Sequence, residues 1–340
     1  MPNNPTKILL SMTLIGGILV SISSNSWLGA WMGLEINLMS FIPLMSSQEN
    51  ILTTEASLKY FIIQAMASSV LLFLVAMEAL INWGFMVEGN IQEYVMMTPL
   101  LLKMGAAPLH WWFPSVMEGL NWENCLLMMT VQKAAPMMLI SYLMKTNSLI
   151  LMIVVMSVTV GSVGGMNQTS LRKILTYSSI NHTGWMLMAL MAGSNLWLIY
   201  FAVYSFLTLA MTTIASTYNI SLINQTMSMS GKTAIKIALF MTLLSLGGLP
   251  PFIGFLPKWT VIQMMILNNM SMIMTMMVIM SLATLYYYLR VCYSSFITLH
   301  AEVKWGSQEF KVNKIIAYSV ILSSTSMMGL IVCTMIININ

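Results

Sequence analysis

The 340-residue chain is 58% hydrophobic and 7% charged, with a mean hydropathy of +0.82 and a formal net charge of +4. A globular chain carries about 25% charged residues, so this one cannot cover a water-facing surface, which excludes a soluble enzyme or a nucleic-acid-binding domain. Apolar stretches of about 20 residues suit helices that cross a ~30 Å hydrocarbon core, and the ~10-residue alternation of barrel strands is missing, so the chain reads as an all-α integral membrane protein.

In chain order eleven spans are predicted, near residues 7–24, 26–46, 54–82, 90–107, 124–144, 147–165, 171–192, 195–217, 233–268, 272–298 and 314–337. Lys7 and the following "ILLSMTLIGGILV" have the outline of a signal peptide but no clear A-x-A site, so a retained first span is expected. Thr54 is a candidate cap for the third span, with Glu55 in its first turn. The fourth span runs into "GAAP", where Gly105 and Pro108 should break it. The ninth is too long for one straight helix and contains "GGLPPFIGFLP". Gly247, Gly248, Pro250 and Pro251 must interrupt it, since proline removes a backbone donor and clashes with the previous turn. The carbonyls freed at both breaks are expected to face a hydrated cavity rather than lipid. Segments 109–123, 218–232 and 299–313 are the larger loops. The expected organisation is therefore a membrane domain over 1–298, then a loop and a last transmembrane helix over 299–340.

With eleven spans, the N-terminus, Arg172, Lys173, Lys232, Lys236, Lys304, Lys311 and Lys314 fall on one side, and Lys145 on the other. This asymmetry places the N-terminus inside and the C-terminus outside. The chain has 38 Met, and its twelve Lys against two Arg and no Asp fit the codon usage of AT-rich animal mitochondrial DNA. Inside would then be the mitochondrial matrix.

No cofactor framework is readable. Cys125, Cys292 and Cys333 are isolated, with no C-x-x-C for zinc or iron–sulfur. "GSVGG" ends an apolar helix instead of following a strand, and "SGKT" at 230–233 has Thr226 where a P-loop needs its first glycine.

The informative residues are charges at membrane depth. Glu35 lies mid-span in "WMGLEINLMSF", Lys103 just before the first break, and Lys133 near the centre of the fifth span. His182 sits at the middle of the seventh, and Lys258 follows the second break. Ionisable groups at such depth face a bundle interior or a watery cavity and mark ion or proton routes; snorkelling or static pairing is the bland alternative. Asn37 and Ser40 beside Glu35, Gln132 beside Lys133, and Ser178, Asn181 and Thr183 around His182 favour a wet interior, although such residues also glue helices. Lys59, about one turn into its span, is expected to snorkel, and Glu118 and Glu123 to be solvated. Burial disfavours an ammonium and a nearby carboxylate restores it; at 4 Å and an effective dielectric of 20 the pair interacts by ~4 kcal/mol. Moving the carboxylate would switch the lysine between holding and releasing a proton.

The blocks "SWLGAWMGLEINLMSFIPL", "LLLKMGAAPLHWWFPSVMEGL", "NQTSLRKILTYSSINHTGWM" and "LSLGGLPPFIGFLPKW" resemble the antiporter-like, proton-pumping chain 2 family of mitochondrial NADH–ubiquinone oxidoreductase, respiratory complex I, in its shortened animal form. The resemblance covers about residues 5–298. It implies two inverted five-helix repeats, each with a broken helix, and a midplane row of ionisable groups. It assigns Glu35 and Lys103 as the charge pair of one half-channel, Lys133 as central relay, His182 as a linking group and Lys258 as the terminal lysine of the other. It also implies a subunit of a proton-translocating NADH:ubiquinone reductase with no catalytic redox residue or metal of its own. FMN, iron–sulfur clusters and ubiquinone would work in other subunits. Partners would be membrane-arm and accessory subunits and lipids in the mitochondrial inner membrane, with the C-terminus in the intermembrane space. The rivals are a stand-alone cation/proton antiporter or solute carrier, since broken inverted repeats also serve secondary transport, and a structural subunit whose charges pin helices. Only Glu35 is a clear mid-membrane carboxylate, which leans against a sodium site.

Overall fold

The computed structural model describes residues 5–47, 50–81, 89–144, 148–227, 233–297, 321 and 323–329. Within them the chain is helical, as a backbone in lipid must be to satisfy its own hydrogen bonds. Among the described residues seven helices are long and apolar enough to cross a membrane, and shorter apolar helices accompany them. Most of the eleventh expected span, and the loop before it, lie outside the described residues.

The chain divides into two compact units, 1–153 and 154–340. The first contains α1 (Pro5–Ser23), α2 (Trp27–Met45), α3 (Ile51–Ile81), α4 (Gly89–Met104), α5 (Trp112–Gly119), α6 (Trp122–Met129) and α7 (Val131–Leu143). The boundary falls inside α8 (Ser148–Gly165). The second unit continues with α9 (Leu171–Ala192), α10 (Ser194–Tyr218), α11 (Ile223–Met227), α12 (Thr233–Gly247), α13 (Phe255–Leu267) and α14 (Ser271–Ile297).

Three expectations need correction. The segment 109–123 is not a plain loop: Trp112, Phe113, Val116 and Met117 repeat at helical spacing and bury the inner face of α5. Likewise α11 forms inside 218–232, where Leu222 bridges back to Ser170. Thr54 does not cap the third span. That helix begins at Ile51, and the Asn50 carbonyl accepts the Thr53 and Thr54 N–H groups. A side chain does cap α2, where the Ser26 hydroxyl accepts the Gly29 N–H at 3.2 Å.

Each unit opens with a helix pair in near-backbone contact. A Cβ on Gly17 would lie 2.9 Å from the Asn37 nitrogen and the Gly33 carbonyl, and one on Gly161 would lie 2.5 Å from the Asn181 nitrogen. Only glycine admits that approach. Most intramembrane hydroxyls, such as Ser57, Thr176 and Thr242, donate to carbonyls one turn back, which hides their polarity from lipid. Arg290 of α14 donates to the carbonyls of Met166 and Gln168, tying down the α8–α9 connection.

Candidate functional site

In the first unit the site is built on the end of α4. Gly105 adopts φ 71°, the Gly105 N–H donates to the Leu102 carbonyl and the Ala106 N–H to the Leu101 carbonyl, both at 3.1 Å. This pair of bonds around a left-handed residue closes a helix and favours glycine. The chain then passes a cis Ala107–Pro108 bond and resumes as α5. The carbonyls at this break, expected to face a hydrated cavity, accept side-chain donors. Trp112 Nε1 donates to the Leu102 carbonyl at 3.1 Å, and Gln64 Nε2 to the Lys103 carbonyl at 3.3 Å.

Lys103 is 7% exposed and borders a cavity of about 10 Å³ shared with Asn37, Tyr60, Gln64 and Gln132. Half-buried Glu35 acts on Lys103 through its field. Among the described residues an ion pair within 4 Å joins Lys59 to Glu55, and none joins Glu35 to Lys103. Lys133 stands three residues past Thr130, where the fifth span is interrupted between α6 and α7, a break the sequence did not reveal. It is 1% exposed, with Nζ 4.9 Å from the centre of the Phe113 ring. Its neighbour Gln132 donates to Asn37 Oδ1 at 2.9 Å and accepts from the Tyr60 hydroxyl at 3.3 Å.

The second unit repeats the helix ending. Gly248 has φ 77°, its N–H donates to the Ser245 carbonyl at 3.0 Å, and the Leu249 N–H reaches the Leu244 carbonyl. Here the lysine itself fills the break. Lys258, buried in α13, folds back to donate to the Gly247 carbonyl at 2.9 Å, with its ammonium 5.8 Å from the Trp185 ring centre. The snorkelling alternative therefore gives way to an inward-turned side chain. His182 lies in the buried middle of α9, its Nδ1 2.8 Å from the Tyr200 hydroxyl and its ring 5.0 Å from that of Tyr204. A second cavity of about 10 Å³ touches His182, Tyr200, Tyr204, Ser245 and Pro257.

The structure thus brings Lys103, Asn37 and Gln132 to one cavity, and sets His182 beside another that Pro257, next to Lys258, also borders. Sequence reading missed Tyr60, Gln64, Tyr200 and Tyr204, because a tyrosine or glutamine in an apolar helix carries no spacing signal. Glu118 and Glu123 are exposed as expected, although both lie on helices. Among the described residues no three His, Cys, Asp or Glu side chains gather where they could hold a metal.

Comparison with known proteins gives a consistent answer. The family model described as "NADH:quinone oxidoreductase/Mrp antiporter, TM" matches residues 24–284, and "NADH dehydrogenase subunit 2 C-terminus" matches 285–337. The NADH-ubiquinone oxidoreductase chain 2 of Anopheles gambiae is 49% identical over 326 residues, 95% of each chain. That of Locusta migratoria is 46% identical over 338 residues, 98% of this chain and 97% of the relative. In fold, the chain is similar to a chain of respiratory complex I from Thermus thermophilus, with a TM-score of 0.84 at 23% identity, covering 97% of this chain and 79% of that one. The chain belongs to the NADH-ubiquinone oxidoreductase chain 2 family and is a multi-pass membrane protein.

Proposed function

For a chain of this family, we propose that proton translocation in the membrane arm of respiratory complex I runs through Glu35, Lys103, Lys133, His182 and Lys258. The observation that carries the reading is a coincidence of place. Each buried lysine of the proposed pathway lies at an interruption of a membrane helix: Lys103 two residues before Gly105, Lys133 three after Thr130, and Lys258 in the first turn after the second break. Interrupted helices expose backbone dipoles, which can solvate an ammonium where lipid cannot. A lysine that only pins helices has no reason to recur at such points.

On this reading NADH oxidation and quinone reduction, with their FMN and iron–sulfur clusters, occur in other subunits, and this chain has no redox or nucleotide site. It works in the mitochondrial inner membrane among membrane-arm and accessory subunits and lipids. The basic residues favour a matrix N-terminus and a C-terminus in the intermembrane space. Conformational or electrostatic change in the partners would alter the field at Lys103 through Glu35, against a membrane potential that opposes each proton by ~2.3 kcal/mol per 100 mV.

The deciding experiment uses the assembled complex reconstituted in vesicles. Lys133→Met should leave the complex assembled and lower the protons moved per electron pair. A wild-type ratio in that variant would leave the structural-subunit reading in its place.

A further inference from the structure

The two small cavities have a common design that the pathway residues alone do not explain. Residues at repeating separations line both: Leu38 and His182, and Tyr60 and Tyr204, stand 144 positions apart, and Lys103 and Leu246 stand 143 apart. The left-handed glycines that end α4 and α12, Gly105 and Gly248, share the same spacing. The shared spacing points to one site present twice with different chemistry on its walls, and among those three pairs the phenol is the side chain present in both copies.

Each cavity, about 10 Å³, is at the size that admits a single water when two to four polar partners surround it. In the first unit the partners are specified. The Tyr60 ring is held edge-on by Phe41 at 5.4 Å and lies 6.0 Å from Trp112. Its hydroxyl donates to Gln132 Oε1, and Gln132 Nε2 donates to Asn37 Oδ1, so the three side chains form one hydrogen-bonded chain. Gln64 gives its nitrogen to the Lys103 carbonyl. Among the described residues Lys103 Nζ and Gln64 Oε1 then make no protein hydrogen bond, although both side chains border the cavity. One water placed there accepts from the ammonium and donates to Gln64 Oε1. In the second unit the Tyr204 ring packs on His182, while the Tyr200 hydroxyl lies 2.8 Å from His182 Nδ1.

We infer that the two cavities are repeat-related single-water sites, and that Tyr60 and Tyr204 are positioning residues that fix their polar walls. The water beside Lys103 offers its ammonium an acceptor that the surrounding protein does not supply. This inference rests on the proton-conducting reading of Lys103 and His182, and the test separates the two.

Tyr60→Phe keeps the ring and its packing and removes only the hydroxyl. In the assembled complex, a high-resolution map of the wild type should show one ordered water within hydrogen-bonding distance of Lys103 Nζ, and Tyr60→Phe should abolish that density. The protons moved per electron pair should fall about twofold. Gln132→Met should give the same loss, and the double variant no further loss, because the two side chains act as one unit. Tyr204→Phe should act independently of both. A wild-type ratio in Tyr60→Phe together with a reduced ratio in Lys103→Met would overturn the positioning role and leave the pathway standing. A wild-type ratio in Lys103→Met would overturn the pathway itself, and a cavity without ordered water would overturn the site.

Discussion

The breaks in the two units share a backbone and differ in what fills them. Both α4 and α12 end on a left-handed glycine with the same pair of closing hydrogen bonds. In the first unit neutral donors, Trp112 and Gln64, take the freed carbonyls, and Lys103 keeps its ammonium for a polar cavity. In the second unit Lys258 itself takes the carbonyl, and its aliphatic stem lies over the glycine. One backbone device thus serves two electrostatic states: a lysine whose surroundings can be rehydrated, and a lysine bound to a fixed dipole. On the proposed pathway the first would respond to a moving carboxylate such as Glu35, and the second would hold its proton locally until the break changed shape.

The most damaging way to break this comparison is through the glycines. A Cβ at Gly248 would lie 2.9 Å from Lys258 Cδ and 3.0 Å from its Nζ, whereas one at Gly105 would meet Phe113 Cβ at 3.2 Å. Both positions also impose a left-handed backbone that costs an ordinary residue about 1–2 kcal/mol. Gly248→Ala should therefore deplete the assembled complex on native gels more severely than Gly105→Ala, because it displaces the lysine from the Gly247 carbonyl as well as straining the turn. Equal depletion would mean that the backbone alone matters and that the side-chain difference between the breaks is incidental.

A second substitution pair sharpens the comparison at smaller cost. Lys258→Met leaves the buried Gly247 carbonyl without its donor, a loss of about 1–3 kcal/mol. Lys103→Met removes no hydrogen bond found among the described residues and relieves the burial of an ammonium. Thermal unfolding of the purified complex should therefore shift down for Lys258→Met and stay level or rise for Lys103→Met, although both should lower proton yield. The reverse order of stabilities would contradict the assignment of Lys103 to the rehydratable state.

Much of this was legible from residue type and depth. A lysine, glutamate or histidine inside an apolar run is conspicuous wherever the chain folds, and paired Gly and Pro announce a break without help from tertiary structure. The partners were not legible. Tyr60 and Gln64 are ordinary helix residues until α3 brings them to Lys103, and nothing local distinguishes Gln132 as a member of a three-residue network. The interruption at Thr130 also escaped, since it lacks a Gly–Pro signature. The α5 helix was hidden because its eight residues fall below the length at which apolar periodicity separates a helix from a loop. Gln64 reaches its carbonyl from 39 residues away, and Trp112 and Lys258 fold back on theirs from 10 and 11 residues beyond, so the sequence could locate the breaks without saying what occupies them.

The smallest expected effect comes from the lysine that shares the chemistry of the others and not their surroundings. Lys59 lies in the third turn of α3 and pairs with Glu55 one turn earlier at 3.9 Å, both side chains more than half exposed. An i,i+4 pair of this kind contributes a few tenths of a kcal/mol at most once exposure and salt are considered. The long apolar stem can extend along the helix to carry the ammonium toward water, so no helix interruption is needed to accommodate it. If charge alone conferred function, Lys59→Gln should impair pumping as the buried lysines do. If the decisive property is an ammonium buried at an interrupted helix, Lys59→Gln should leave both proton yield and thermal stability at wild-type values. A reduced proton yield with normal assembly would show that a lysine in an uninterrupted helix can take part, and the link between helix breaks and conduction would then fail in the unit where it was drawn.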